Sequence, residues 1–115
     1  DRQQMLEAMH SLGLLPPWFP TRQEEVPELT GELHHAITGF LASTPSQLFV
    51  LNQEDLLKQA VQQNLPGTTH QYPNWRNRMR FTIEELWRVP YVRDCAAMFR
   101  NWLLRTGRAA PPAGA

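Results

Sequence analysis

The sequence is poor in the residues that build disulfides and metal centres. Its 115 residues contain a single cysteine, Cys95, which excludes an internal disulfide and a multi-cysteine metal site. His34 and His35 are adjacent, so a helix would point them about 100° apart, whereas helical chelation needs an i, i+4 pair. We therefore predict that the chain holds no metal and no cofactor. The scarcity of cysteine favours a reducing, cytoplasmic setting.

Net charge and long apolar runs are also absent. Eleven basic and eleven acidic side chains cancel, and all the basic residues except Lys58 are arginine. The charge balance therefore favours neither a nucleic acid nor an anionic membrane as a partner. No apolar run approaches the length of a membrane span, and no signal peptide is evident. The chain does not begin with methionine, which we interpret as the sign of a piece excised from a longer protein.

Apolar residues at helical spacing predict two helices in the first half of the chain, at residues 2–12 and 28–42. The segment between them contains four prolines, which exclude a continuous helix. Trp18 and Phe19 lie in this segment. We expect them to pin it to the body of the protein, and a sugar-stacking role is the alternative for Trp18.

Two further helices are predicted in the last third of the chain. Thr82 and Glu85 have the spacing of a capping box, which predicts a short helix that starts after Thr82. Pro90 suits the first turn of a second helix, and Gly107 is placed to end it. Cys95 falls on the apolar face of this second helix, where we expect an inert buried thiol.

Residues 48–51, Leu-Phe-Val-Leu, form a short apolar run after a proline turn. Such a run is typical of a strand that is buried on both faces, as in a parallel sheet. Asn52 would then cap a short helix through Lys58 or Gln59. A lone strand cannot satisfy its own ladder hydrogen bonds, so it must pair with another chain or be abandoned.

Residues 64–75, Asn-Leu-Pro-Gly-Thr-Thr-His-Gln-Tyr-Pro-Asn-Trp, have neither helical nor strand periodicity, which predicts an ordered loop. Pro66 and Pro73 restrict the backbone, and Gly67 permits a positive φ. The amide, hydroxyl and aromatic groups between these points suit the binding of a sugar. The alternative is a surface connection whose Trp75 belongs to the core.

This loop and its flanks resemble the C-terminal signature of the amylomaltases, which are 4-α-glucanotransferases of glycoside hydrolase family 77. The resemblance begins near His34, passes through the apolar run at 48–51 and ends at Arg76. One departure is visible, because many family members carry Asp-Glu where this chain has His70 and Gln71. The loop thereby lacks two acids, and its sugar preference is left open.

The resemblance implies an α/β fold, namely the C-terminal part of a (β/α)8 TIM barrel. Within this chain the fold would be mostly α-helical, with one short parallel-type strand at residues 48–51. Residues 1–107 would supply the last helices, the last strand and the loop that faces the active site. Residues 108–115 consist mainly of alanine, proline and glycine, and we expect them to form a disordered tail.

The resemblance also implies an activity, the transfer of α-1,4-glucan segments between maltodextrins by a retaining double displacement. That reaction needs two carboxylates about 5 Å apart, and the resemblance puts them upstream of Asp1. We therefore expect no catalytic residue in this chain and no activity from the chain alone. Its partners would be a maltodextrin or another α-1,4-glucan, and the remainder of the barrel or another copy of the chain.

Asn64 is the first candidate for substrate binding, because it opens the signature and its amide can both donate and accept hydrogen bonds. An alternative is that Asn64 holds the turn at residues 67–69. Asn74 and Trp75 are further candidates, and either could instead lock the loop in place. The rival function is a free-standing helical protein-interaction module without catalysis, whose tryptophan and phenylalanine faces bind a partner protein.

Overall fold

The computed structural model describes residues 1–114, and all regular elements within that range are helical. The elements in chain order are α1 (Arg2–Ser11), a 3-10 turn (Gln23–Glu25), α2 (Gly31–Ser43), α3 (Gln53–Leu56), α4 (Ile83–Arg88) and α5 (Pro90–Arg105). The chain divides into two compact units. The first consists of Asp1–Phe49 and Met98–Ala115, and the second of Val50–Ala97.

The core of the first unit lies between α1, α2 and the proline-rich segment that joins them. Its buried members are Leu6, Met9, Leu15, Phe19, Val26, Leu33 and Ala36. Burial of each large aliphatic side chain contributes about 1.5–3 kcal/mol. The predicted helix at residues 2–12 is confirmed as α1, which begins with a capping box at Asp1 and is followed by Gly13 at a φ of +68°.

The two aromatic residues of the proline-rich segment have opposite environments. Phe19 is 4% exposed and belongs to the core, whereas Trp18 is 70% exposed. The prediction that both residues pin the segment is therefore correct for Phe19 and wrong for Trp18. The chain turns at this point, and the exposed Trp18 ring lies against the buried Phe19 ring, with the centroids 6.1 Å apart.

The second predicted helix is confirmed as α2, but it begins three residues later than expected. Thr30 caps it, because the Thr30 hydroxyl oxygen accepts a hydrogen bond of 3.2 Å from the Leu33 N–H. In the middle of α2, Gly39 lies directly against the indole ring of Trp102. Trp102 is only 5% exposed, so the missing side chain of Gly39 makes room for a buried ring.

The end of α2 is closed by Arg108, the first residue of the predicted tail. Its guanidinium donates to the carbonyl oxygens of Ala42 at 2.6 Å, Thr44 at 2.9 Å and Ser46 at 2.8 Å. The last carbonyls of a helix lack intrahelical partners, and Arg108 is the partner of one of them, Ala42, and of two carbonyls just after the helix. The division into residues 1–107 and a disordered tail stays a prediction, and Ala115 lies outside the described residues.

The predicted strand at residues 48–51 is wrong. These residues have no regular secondary structure, and no strand occurs within residues 1–114. Leu48 and Val50 are 83% and 80% exposed, while Phe49 packs against Phe99 with the ring centroids 5.5 Å apart. The physical reason is that a single extended segment has no neighbour for its ladder hydrogen bonds. The α/β class is therefore wrong for the described residues, which are helical and irregular.

In the second unit, α3 is a single turn that ends at Leu56, short of the predicted Lys58. Asn52 occupies the N-cap position, but its amide donates to Asp55 Oδ2 at 3.1 Å instead of accepting from the backbone. The short run of helix is followed by Leu57, which is 1% exposed and is the most deeply buried side chain of this unit.

The predicted helices α4 and α5 are confirmed. The Glu85 N–H donates to Thr82 Oγ1 at 3.2 Å, and the Thr82 N–H donates to Glu85 Oε2 at 2.7 Å, which completes the capping box. α5 begins at Pro90 as expected. Within residues 1–114, no helix is both long enough and apolar enough to cross a membrane.

The contact between Gly39 and Trp102 predicts an unusual effect of alanine. Alanine in a helix interior normally gains about 1 kcal/mol over glycine, but a Cβ at position 39 would overlap the Trp102 ring. Overpacking costs about 1–3 kcal/mol. We expect Gly39→Ala to lower the free energy of unfolding, measured by urea denaturation.

Gly31→Ala is the matched control, because a Cβ at position 31 of the same helix would meet no atom within 4 Å. This variant should be neutral or slightly stabilising. Equal stabilisation by both substitutions would show that the Trp102 ring does not pack on Gly39.

Candidate functional site

The predicted loop at residues 64–75 lies within the connection between α3 and α4, and hydrogen bonds hold its two ends together. The Trp75 N–H donates to the Gln63 carbonyl at 2.6 Å. The Leu65 N–H donates to Asn74 Oδ1 at 2.8 Å. The outgoing and returning arms of the loop therefore lie side by side at these positions, without forming a strand pair.

Asn74 joins the two arms through its side chain. Besides accepting from Leu65, its Nδ2 donates to the Thr68 carbonyl at 3.3 Å and to Thr68 Oγ1 at 3.0 Å. The Thr68 hydroxyl in turn donates to the Leu65 carbonyl at 2.6 Å. Asn74 is half-buried. All three of its bonds cross the interior of the loop, so the loop has a fixed shape although it has no regular secondary structure.

The tip of the loop is shaped by Gln71. Its Oε1 accepts from the Thr69 N–H at 2.8 Å and from the Thr69 hydroxyl at 3.4 Å. Gly67, just before this turn, has a φ of +81°. A glutamate at position 71 could accept the same two bonds. Compared with a glutamate, Gln71 therefore offers the same acceptor oxygen without the negative charge.

The base of the loop is held by polar side chains that the sequence analysis did not identify. The Tyr72 hydroxyl and the Asn77 amide both donate to the Gln62 carbonyl, at 2.6 and 3.1 Å. Further down, Gln59 accepts from the Arg80 N–H at 2.8 Å and donates to the Arg78 carbonyl at 3.4 Å. No periodicity marks these residues, and the only available signal was the density of amides in the segment.

The three candidate binding residues have different environments. Asn64 is exposed, and its amide makes no hydrogen bond to any residue in the range 1–114. Trp75 is 75% exposed, so it does not belong to a core within the described residues. Asn74 is taken up by the bonds across the loop. The backbone bond between Gln63 and Trp75 places the Trp75 backbone beside Gln63, the residue that precedes Asn64.

The backbone at Trp75 is strained. Its φ is +59°, a value that a side chain as large as tryptophan rarely adopts. Such conformations cost about 1–3 kcal/mol and persist where the surrounding structure fixes them. Here the short bond from the Trp75 N–H to Gln63 and the neighbouring Asn74 network provide that fixation.

A comparison with protein families identifies the chain. The family model of the 4-alpha-glucanotransferases, glycoside hydrolase family 77, matches residues 1–84. The chain belongs to this family. A curated 4-alpha-glucanotransferase of Haemophilus influenzae is 32% identical over 79 residues, which are 69% of this chain and 11% of that protein. No solved structure matches the chain significantly. The resemblance found from the loop is therefore confirmed, and the chain spans a small part of its relative's length.

The family match covers the whole loop. Residues 62–75 contain no aspartate or glutamate. The nearest acids before the loop, Glu54 and Asp55, lie in the turn α3, where Asp55 accepts from Asn52. No group of three or more histidine, cysteine, aspartate or glutamate side chains that could hold a metal occurs within residues 1–114. The loop can therefore bind and orient a ligand through neutral groups.

The first unit of the chain contains a concave surface. Glu32, His35, Trp102 and Arg105 line a groove of about 680 Å³ next to the turn at residues 13–17. The rings of His35 and Trp102 are 5.1 Å apart, and the Arg105 guanidinium lies 4.3 Å from the Trp102 ring centroid. Burial, and then the nearby Arg105 charge, lower the pKa of His35 below its ordinary value of 6.5.

This environment of His35 predicts a pH dependence of stability. Because its pKa is lowered in the folded state, the unfolded state binds more protons near and below pH 6.5. Stability should be complete above this pH and should fall as the pH drops toward the folded-state pKa. We expect the melting temperature to decrease between pH 7 and 5, and His35→Gln should flatten this dependence.

His70→Gln provides the control, because His70 is exposed at the tip of the loop. It should leave the slope unchanged. An unaltered slope in His35→Gln would mean that His35 is not the group responsible.

Proposed function

We propose that this chain is part of a longer 4-α-glucanotransferase and that loop 64–75 lines the site where the enzyme binds an α-1,4-glucan. The family match over residues 1–84, which includes the complete loop, carries this proposal. The relative in Haemophilus influenzae bears the name of the same activity. We also infer a cytoplasmic location, which the unpaired thiol of Cys95 supports.

Asn64 and Trp75 have the properties of sugar contacts. The Asn64 amide can donate to one hydroxyl and accept from another, and no group of the described chain competes for it. The exposed Trp75 indole offers an apolar face to the apolar face of a glucose ring. The strained backbone at Trp75 supports a binding role, because such strain is concentrated at functional sites.

The role of these residues in the reaction is binding, not bond making. In a retaining transfer, a carboxylate attacks the anomeric carbon while a carboxylic acid protonates the departing sugar. An acceptor hydroxyl then attacks the glycosyl-enzyme and gives its proton to the same acid/base group. The loop contains no acid, and from the family resemblance we infer that both carboxylates belong to another part of the enzyme. Asn64 and Trp75 would hold a glucose unit of the donor or acceptor in place.

The exposed apolar residues of the segment before α3 also support a longer enzyme. Leu48 and Val50 are 83% and 80% exposed, although aliphatic side chains of this size are normally buried. We infer that the remainder of the enzyme covers them. Covering both would contribute about 3–6 kcal/mol to the association of this segment with the rest of the protein.

A second candidate function, a helical protein-interaction module, has one observation in its favour. Ile83 and Trp87 are one turn apart on α4 and are 73% and 80% exposed. Such a pair could dock on a partner protein. The family match favours the glucanotransferase, because a module for protein interaction does not need the preserved signature loop.

The first test concerns the chain by itself. We expect the purified chain to show no disproportionation of maltotriose, because it lacks a nucleophile and acid/base pair. The measurement is chromatography of the products, with the complete enzyme as a positive control. Formation of glucose and longer maltodextrins by the chain alone would contradict the proposal that the carboxylates lie elsewhere.

The second test concerns Asn64 in the complete enzyme. Asn64→Ala should lower kcat/KM for glucan transfer by roughly fivefold, the effect of about 1 kcal/mol for one lost hydrogen bond. The melting temperature should stay unchanged, because the amide makes no bond within residues 1–114. Asn101→Ala is the matched control, because this exposed asparagine of α5 also makes no side-chain hydrogen bond within residues 1–114, and it should affect neither quantity appreciably. A lower melting temperature with full activity of the folded protein would instead assign Asn64 to the structure.

A further inference from the structure

The side chain of Asn74 uses all of its hydrogen-bonding groups inside the loop. Its oxygen accepts from the Leu65 N–H, and its nitrogen donates to the carbonyl and to the hydroxyl of Thr68. These bonds span nine and six residues of the sequence. The side chain is half-buried, so it has little capacity left for a ligand. This arrangement distinguishes Asn74 from Asn64, whose amide is free.

One bond of Asn74 ends on a residue that flanks Asn64, and the other two end on Thr68. Both backbone groups of Leu65, the residue after Asn64, are hydrogen-bonded. Its N–H donates to Asn74, and its carbonyl accepts from the Thr68 hydroxyl. Gln63, which precedes Asn64, is tied to the Trp75 N–H. The backbone of Asn64 is therefore fixed from both neighbours while its side chain stays free.

We propose that Asn74 is a positioning residue, which sets the spacing between the Asn64 amide and the Trp75 indole without touching the sugar itself. This inference rests on the proposed function of the loop. A binding site whose groups are already in place does not lose affinity to the ordering of a flexible loop. In a transferase, correct placement of the glucan also determines the rate, since small displacements of a bound substrate reduce it strongly.

The chemistry of the asparagine amide is needed for this task. Aspartate at position 74 would keep an oxygen to accept from Leu65, but it would lose the donors and bring a carboxylate against the Thr68 carbonyl. Alanine would lose all three bonds. The two variants therefore form a graded series: Asn74→Asp should loosen one side of the network, and Asn74→Ala both.

The decisive experiment is a double-mutant cycle in the complete enzyme, with Asn64→Ala, Asn74→Ala and the double variant. If Asn74 acts through the placement of Asn64, the double variant should lose little more kcat/KM than the more affected single variant. If the fold-loss of kcat/KM in the double variant equals the product of the two single fold-losses, the inference is overturned and the glucan-binding role of Asn64 stays intact. If Asn64→Ala leaves kcat/KM for glucan transfer unchanged, the proposed function is overturned, and the inference with it.

Hydrogen exchange gives a second readout that does not depend on activity. In Asn74→Ala, the backbone N–H groups of Leu65 and Trp75 should exchange faster, whereas Asn64→Ala and the control Asn101→Ala should leave them protected. If Asn74→Ala does not fold, Asn74→Asp takes its place in the cycle and should show a partial loss of protection at these two N–H groups. Unchanged exchange in the folded Asn74 variants would overturn the inference.

Discussion

The structure depends on one constraint: backbone N–H and carbonyl groups that no helix satisfies must find other partners. In the second unit, side-chain amides supply these partners along the whole length of the loop, from Gln59 at its base to Gln71 at its tip. In the first unit, Arg108 does the same for the last carbonyls around the end of α2. The ordered shape of an irregular segment therefore results from the positions of a few polar side chains.

The same constraint explains why the apolar run at residues 48–51 is not a strand. Its composition is that of a buried strand, but within the described residues no other segment offers a ladder of donors and acceptors. The backbone of this run is therefore decided by the hydrogen-bond partners within the described residues and not by its composition. Leu48 and Val50 stay exposed, whereas Phe49 packs against the ring of Phe99 and the guanidinium of Arg108.

The features that could be predicted from the sequence are those decided by near neighbours. The capping box of Thr82 and Glu85, the helix start at Pro90 and the loop with Gly67 all follow from residues within a few positions of each other. The features that could not be predicted depend on distant pairs. Nothing in the sequence around Asn74 shows that it bonds Leu65, and nothing near Gly39 shows that Trp102 packs there.

The neutral tip of the loop separates its shape from the ionic state of the surroundings. The bonds at Thr69 end on the amide oxygen of Gln71, and those inside the loop use only amides, hydroxyls and carbonyls. A carboxylate in that place would attract counter-ions and divalent cations and would change with added salt. With an amide there, the bonds that shape the tip involve no charge that dissolved ions could screen.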